Sequence, residues 1–115
     1  MSFTLVIPRA PPSLNQTLRM HWIERRRLQR LWVKEIWVAA FEAQIKTPPT
    51  LKAKVSIERR GPKLLDPDNA VGATKIVIDA LKDCGLIEDD SPDHIELSVS
   101  QVKGTPQTTI TVEET

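Results

Sequence analysis

"LDPDNAVGATKIVIDALKDCGLIEDDSPDH", residues 65–94, is a helix-like segment with an acidic cluster at each end. Its apolar residues recur every three or four positions, as on the buried face of a helix. Pro67 suits the first turn of a helix, and Gly85 suits the residue that follows one. The stretch therefore predicts a helix over Pro67–Asp83, set between the strand-like segments on either side.

The flanking sequence predicts a single domain over residues 1–115 in the order β-α-β-α-β-β. Alternating apolar and polar residues, or runs of β-branched residues, indicate four strands, and the proline-rich RAPPSLNQT (residues 9–17) indicates an irregular loop. The expected fold class is α/β (α+β), a mixed sheet with helices packed on one face. A Gly-Thr-Pro turn predicts that the last two strands form a hairpin. The predicted strands are Ser2–Pro8, Leu51–Arg60, His94–Val102 and Thr108–Glu113, and the first helix is Trp22–Ile45, ended by TPPT (residues 47–50).

The formal net charge of +1 conceals a strong division of charge along the chain. The first 34 residues carry seven Lys or Arg and one acid, and residues 35–63 carry six and three. Residues 64–115 carry three Lys or Arg and eleven acids, so the net charge is +9 over the first 63 residues and −8 over the rest. A basic part beside an acidic part on one small domain predicts a surface for a polyanion next to a carboxylate site.

The composition excludes several classes of protein. With 40% apolar and 27% charged residues, the chain has the balance of a folded globular protein rather than a disordered or fibrous one. The lone Cys84 permits no internal disulfide, no secretory signal is recognisable, and no apolar run approaches the ~20 residues of a membrane helix. We therefore expect a cytoplasmic protein with no membrane partner.

Four residues of the predicted second helix form a narrow stripe opposite its apolar face. At about 100° per residue, Asp68, Gly72, Lys75 and Asp79 lie within roughly 60° of one another. Each charge has a structural explanation, in which Asp66 caps the helix, Asp68 complements the helix dipole and Lys75 pairs with Asp79. That explanation leaves the second acidic cluster, EDDSPD, without a role.

The second acidic cluster suggests a metal site. The chain reverses after the helix, so an extended segment near Asp90 would return past it and bring the carboxylate towards Asp66 and Asp68. Like charges held together need a cation, and hard oxygen ligands select Mg²⁺ or Mn²⁺. Beside such a site, Lys75 would stabilise a phosphorane-like transition state, and Gly72 would leave room for a nucleic-acid backbone. These residues point to phosphodiester hydrolysis.

The sequence resembles the RusA-type Holliday junction resolvases of prophages and bacteria. The motifs that carry the resemblance are PPSLN (residues 11–15), DPDN (66–69), K…DAL (75 and 79–81) and GLIEDD (85–90). They cover nearly the whole chain in the order found in that family. The resemblance implies a homodimeric, Mg²⁺-dependent endonuclease that makes paired nicks in four-way junction DNA during recombination and repair.

The resemblance also implies the residues of the site. It makes Asp66, Asp68 and Asp90 the metal ligands and, together with Lys75, the catalytic set. The step from Asp68 to Lys75 is about one helical turn longer than in the best-known form of the family. Other cationic residues just upstream of the DPD motif are alternative sources of the positive charge and of DNA contacts: Arg59, Arg60 and Lys63.

The first predicted helix supplies a basic face for phosphate contacts. Its basic residues recur at four-residue steps, which suits a row of phosphates, although a solvated helix face would show the same pattern. No helix-turn-helix pattern accompanies them, so we expect junction shape rather than base sequence to be recognised. The resemblance adds Asn15 to the DNA-contacting rim. The helix residues expected to bind DNA are Arg26, Arg27, Arg30 and Lys34.

Other residues receive structural interpretations. The three tryptophans of the first helix are expected to anchor the core or a dimer interface. Glu88 and Asp89 either lie around the metal site without binding the metal directly or are simply exposed to solvent. His21 and His94 have no neighbouring His or Cys that would indicate zinc. Two alternative functions remain open: a catalytically silent RusA-like DNA-binding module, and a nuclease that acts on flaps or replication forks.

Overall fold

Helical segments separate the first three strands, and the fourth strand follows the third directly, in the order that the sequence predicts. The computed structural model describes residues 2–45 and 52–114. In these ranges the strands are β1 (Ser2–Ile7), β2 (Ala53–Gly61), β3 (Ile95–Lys103) and β4 (Gln107–Glu114). The helices are α1 (Leu14–Arg19), α2 (Trp22–Glu42), α3 (Pro67–Ala73) and α4 (Lys75–Asp83). The prediction of one α+β domain with a mixed sheet is confirmed.

The strands form one sheet in the order β1-β4-β2-β3. β2 runs parallel to β3 and antiparallel to β4, which is antiparallel to β1. The predicted hairpin is therefore wrong, because β2 lies between the last two strands and their connection crosses its end. There the Gly104 N–H donates to the Gly61 carbonyl at 2.9 Å, and Arg60 Nε donates to the Thr105 carbonyl at 2.9 Å. These bonds tie the connection to the strand that it crosses.

One face of the sheet is buried under the helices, and the other is mostly polar. Alternate residues such as Val55, Ile57 and Ile110 are buried, as the two-residue period of a strand requires. They share one core with Trp32 and Ile36 of α2 and with the apolar side of α4. Burial at about 1.5–3 kcal/mol for each large side chain holds both helices against the sheet. None of the helices in the described ranges combines the length and apolar character that crossing a bilayer demands.

The segment predicted as an irregular loop, residues 9–17, is irregular over residues 9–13 but enters a short helix, α1, at Leu14. Ser13 Oγ accepts from the Gln16 N–H at 3.1 Å, and Gln16 Oε1 accepts from the Ser13 N–H at 3.0 Å. This reciprocal capping box satisfies two backbone donors at the start of the helix. The prolines correctly indicated the loop before Leu14, and the Ser-x-x-Gln spacing that follows them is the signal for the helix that was not predicted.

The predicted second helix forms as two shorter helices, α3 and α4. Thr74 between them keeps helical backbone angles (φ −74°, ψ −13°), while its hydroxyl donates to the Val71 carbonyl at 2.7 Å. Such side-chain bonds to the preceding turn commonly bend a helix. Gly85 follows α4 at φ 74°, and the Leu86 N–H donates to the Leu81 carbonyl at 2.9 Å, so the predicted C-terminal glycine is confirmed.

The first predicted helix forms as α2, but it ends earlier and buries fewer aromatic residues than expected. Gln44 takes a left-handed φ of 57° after the last turn, so α2 ends at Glu42. The TPPT segment lies outside the described residues. Trp32 is fully buried, whereas Trp22 and Trp37 are 56% and 57% exposed. Of the three tryptophans expected to anchor the core or a dimer interface, Trp32 anchors the core, and a dimer-interface role for Trp22 and Trp37 stays a prediction.

Candidate functional site

Asp66 and Asp68 lie at the start of α3, after the loop that leaves β2. Asp66 occupies the N-cap position with Pro67 next to it, as predicted, but its side chain makes no capping hydrogen bond. The preceding residue is fixed by Gln101 of β3, whose side-chain amide exchanges two hydrogen bonds with the Leu65 backbone at 2.8 and 2.9 Å. The capping explanation of Asp66 is thus incorrect, and its exposed carboxylate is held out on a fixed backbone.

Lys75 and Asp79 form the ion pair that their spacing predicts. Lys75 Nζ lies 3.8 Å from Asp79 Oδ2, across one turn of α4. Because Lys75 is largely exposed and Asp79 only half-buried, the pair contributes roughly 0.3–0.5 kcal/mol to stability at most. Its importance is positional, since both residues line two different cavities on the surface.

The first of these, here called the acidic cavity, has a volume of about 380 Å³ and is bordered by Asp90. Burial raises the pKa of Asp79 above its ordinary value, Lys75 opposes the rise, and the negative charge of Asp90 adds to it. The charge of Asp90 therefore disfavours the charged form of Asp79. The remaining walls are mostly apolar and come from α3, α4, β3 and the loop before β3: Val71, Thr74, Ile78, Pro92, Ile95 and Leu97.

Asp89 shapes the loop that carries Asp90. Asp89 Oδ1 accepts from the Asp90 backbone N–H at 2.8 Å and lies 3.3 Å from Lys82 Nζ. The hydrogen bond from the Asp90 backbone, followed by the Lys82 contact, lowers the pKa of Asp89. Further along, Ser91 Oγ lies 2.7 Å from His94 Nδ1. Asp89 thus structures this loop, which neither of its two sequence-based interpretations anticipated.

The second cavity, here called the basic cavity, has a volume of about 490 Å³ and is lined by residues of all four helices. Lys75 and Asp79 line it on one side, and Arg25, Arg26 and Trp22 line it on the other. The Arg26 guanidinium carbon lies 5.4 Å from the Trp22 ring centroid, a cation–π contact that orients the guanidinium. Arg25 is therefore a further candidate for phosphate binding. It was not among the DNA-binding residues predicted from the four-residue spacing along the helix.

The structure does not gather the three predicted metal ligands into one group. Asp90 borders the acidic cavity, but Asp66 and Asp68 are not among its lining residues. In the part of the chain that the structure describes, no three His, Cys, Asp or Glu side chains form a group that could hold a metal ion. The loop after α4 does return past the helix, as predicted. Its residue Asp90, however, lines the acidic cavity together with Asp79 rather than with Asp66 and Asp68. Metal binding by Asp66, Asp68 and Asp90 stays a prediction.

Arg59 and Arg60 are engaged by neighbouring loops. Arg59 Nε donates to the Pro11 carbonyl at 3.0 Å, and Arg59 Nη1 donates to the Lys63 carbonyl at 3.3 Å. Burial lowers the pKa of the Arg59 guanidinium. Arg60 binds the connection between β3 and β4, as described above. Both arginines thus have structural roles that the sequence did not reveal, whereas the Lys63 side chain is exposed. DNA binding by these three residues stays a prediction.

Asn15 and Gly72 join α1 to α3. The Asn15 N–H donates to Asn69 Oδ1 at 3.1 Å. A Cβ atom on Gly72 would lie 2.7 Å from the Leu14 side chain, closer than non-bonded carbons approach. Gly72 therefore makes room for α1, and it also lines the basic cavity, so the expectation that it leaves room for a nucleic-acid backbone stays a prediction. Asn15 is exposed at this rim, and its contact with DNA stays a prediction.

The predicted basic face of α2 is present on the surface. Arg26, Arg27, Arg30 and Lys34 are all exposed. Arg30 and Lys34 also line a third cavity, of about 450 Å³, with Trp37 on α2 and Asp83 on α4. The exposed basic row thus begins beside the basic cavity and continues along the helix.

Two comparisons with known proteins complete the description of the site. No protein-family model matches the chain, and no curated protein matches it either. The resemblance to RusA-type resolvases therefore rests on the quoted motifs, and function has to be argued from the geometry.

Proposed function

We propose that the protein is a metal-dependent endonuclease that cuts branched DNA, as RusA-type junction resolvases do. The proposal is carried by the position of the Lys75–Asp79 pair between two cavities of opposite character. Asp90 borders one cavity, and Arg25 and Arg26 border the other. A phosphodiester bound by the arginines would lie next to carboxylates, which is the arrangement that metal-assisted hydrolysis requires.

The donor groups suit a hard divalent cation. Mg²⁺ usually takes one or two protein carboxylates and completes its shell with waters and substrate phosphates. The negative charge of Asp90 acts on the Asp79 carboxylate, and a cation between the two would relieve that repulsion. Asp66 and Asp68 are the further ligands expected from the sequence. Bound Mg²⁺ or Mn²⁺ would supply an acidified water and neutralise charge on the phosphate.

The cationic side chains would bind and orient the phosphate. Arg25 and Arg26 carry planar groups whose paired donors match phosphate oxygens. Lys75 is a compact charge at the boundary between the cavities, where Asp79 holds its ammonium group at 3.8 Å. In a homodimer, a two-fold axis would present two such sites to two symmetry-related strands of a junction, so that the expected products are paired nicks.

Cleavage of a synthetic four-way junction tests the proposal. The protein is incubated with a labelled junction in Mg²⁺, in Mn²⁺ and in EDTA, and the products are resolved on a denaturing gel. Paired nicks that require the metal support the proposal. Binding without cleavage in either metal would instead indicate the silent DNA-binding module. Cleavage of a splayed duplex as fast as the junction would indicate a flap or fork nuclease.

Carboxylate-to-amide variants identify the ligands. Asp68→Asn is expected to abolish cleavage while preserving or strengthening junction binding, because it removes a metal ligand and a charge that repels phosphate. Asp66→Asn, Asp79→Asn and Asp90→Asn each test one further ligand in the same way. Asp93→Asn alters an exposed acid in the loop of Asp90 and is the matched control, which should cut normally. Circular dichroism establishes that each variant is folded.

A further inference from the structure

The outer face of α2 carries exposed aromatic residues among its basic ones. Trp37 is 57% exposed and Phe41 is 71% exposed, and their rings stack with centroids 5.5 Å apart and planes 11° apart. At about 100° per residue, Arg30, Lys34, Trp37 and Phe41 lie within roughly 60° of one another around the helix. Large rings are usually buried, so a stacked pair on the surface indicates a partner that contacts it.

The charges of α2 are segregated around the helix. Its glutamates, Glu24, Glu35 and Glu42, lie about 120–140° from Arg30 and therefore outside the aromatic and basic row. Arg26 extends the row towards the basic cavity. A face with cations and aromatic rings, but none of the acids of its own helix, matches a ligand that carries negative charges and flat apolar groups together.

We propose that this face of α2 binds single-stranded nucleic acid, with bases stacked on Trp37 and Phe41 and phosphates on Arg30 and Lys34. Stacking platforms beside basic side chains are the general means by which proteins bind unpaired strands, and they tolerate any base sequence. The inference takes nucleic acid as its ligand from the proposed function, but it requires no cleavage. At a branched substrate, the bound strand would be an unpaired segment next to the branch point.

A second copy of this chain is the competing occupant. Two such faces packed together would oppose their rows of Arg26, Arg30 and Lys34, and like charges across a contact disfavour association. A nucleic-acid strand instead complements the row. Asp83 borders the cavity that Arg30 and Lys34 line, so its carboxylate would weaken phosphate binding at that end.

Fluorescence anisotropy with a labelled oligothymidylate tests the inference, in EDTA so that cleavage plays no part. Phe41→Ala and Trp37→Ala are each expected to raise the Kd at least about fivefold, the lower end of the effect of losing one stacked base. Phe41→Tyr keeps a ring and should bind normally. Val38→Ala is the matched control, because Val38 is exposed and apolar but lies about 80° from Arg30 around the helix. Asp83→Asn should lower the Kd.

Inorganic polyphosphate, which has charges but no bases, separates stacking from charge. Its affinity should fall in Lys34→Gln and remain unchanged in Phe41→Ala. Unchanged oligothymidylate binding in Phe41→Ala, or an equal loss for both ligands, would overturn the proposal. So would a dimer that becomes monomeric in Phe41→Ala during sedimentation while oligothymidylate still binds. If the protein binds oligothymidylate through Phe41 but never cuts junctions, the strand-binding inference stands and the proposed endonuclease function fails.

Discussion

The Leu14 side chain occupies the space that a Cβ atom on Gly72 would need, with a separation of only 2.7 Å. Glycine at this position thus permits the close approach of α1 to α3. The hydrogen bond from the Asn15 N–H to Asn69 Oδ1, at 3.1 Å, joins the same two helices. The PPSLN and DPDN motifs, which are distant in sequence, therefore form one packed unit at the edge of the site.

Gly72→Ala is expected to lower the free energy of unfolding by about 1–3 kcal/mol, because the added methyl group forces α1 away from α3. Urea denaturation of the variant and the wild type measures the difference. Val71→Ala is the control, since Val71 is exposed on the same helix and should have a smaller effect. An unchanged urea midpoint in Gly72→Ala would show that α1 moves aside without cost.

Gln44→Gly is expected to stabilise the protein by roughly 1 kcal/mol, because a left-handed φ of 57° strains a residue that has a Cβ atom. Ala43→Gly, at the adjacent position with φ −79°, relieves no such strain and should be neutral or destabilising. Thermal unfolding of both variants provides the comparison. A lower melting temperature for Gln44→Gly than for the wild type would contradict the prediction.

Asp79 and Asp89 should affect the pH dependence of stability in opposite directions. Burial raises the folded-state pKa of Asp79, so its contribution to the free energy of unfolding falls as pH rises from its unfolded to its folded pKa. The pKa of Asp89 is lowered, so its contribution is present above its unfolded pKa and is lost as pH falls through its folded pKa. The test is to measure the urea midpoint of Asp79→Asn, Asp89→Asn and wild type at several acidic pH values. Plotted against pH, the midpoints of the two variants should have slopes that differ from the wild-type slope in opposite directions. Parallel profiles for the two variants would contradict this.

Saturating Mg²⁺ is expected to lower the pKa of Asp79, because a cation in the acidic cavity favours its ionised form. Carboxyl ¹³C chemical shifts, followed by NMR against pH with and without Mg²⁺, report this pKa directly. The carboxyl of Glu113, on the polar face of the sheet away from the helices, is an internal control and should not respond. An Asp79 titration curve that Mg²⁺ leaves in place would argue against a cation beside this residue.

Cys84 should react slowly with iodoacetamide in the folded protein. Burial raises the pKa of its thiol, with a smaller contribution from the charge of Asp83, and Sγ donates to the Val33 carbonyl at 3.4 Å. Both effects reduce the fraction of Cys84 that is present as the reactive thiolate. Mass spectrometry at a fixed pH should show much faster alkylation after unfolding in urea, and equal rates in the two states would contradict the prediction.

Local patterns predicted the elements of the fold well, because strand alternation and helix periodicity are properties of short stretches. The glycine at residue 85 and the proline at residue 67 correctly marked the ends of the second helical region. The strand order was not predictable from the Gly-Thr-Pro turn, since a short connection can join neighbouring strands or cross the end of a third one. Pairing across the sheet decided between these possibilities.

The site was predictable only where neighbours in sequence are neighbours in space. Helical spacing correctly gave the Lys75–Asp79 pair and the exposed basic face of α2. It could not show that Gln101 fixes the start of the DPD motif, or that Arg25 lines a cavity with Lys75, because these contacts join different elements. Because Asp90 lies in the loop after α4, helical spacing also could not predict which carboxylate Asp90 approaches.

The position of β4 has a consequence for how the protein is made. β4 pairs with both β1 and β2, and in the described residues Ser2 is opposite Glu113. During synthesis, β1 leaves the ribosome before the other three strands but has no partner strand in the sheet until residues 107–114 emerge. The apolar sides of α2 and α4 also stay exposed until β4 has emerged, since the sheet that covers them is incomplete before then. Nascent chains would thus be open to chaperones and proteases until β4 has emerged.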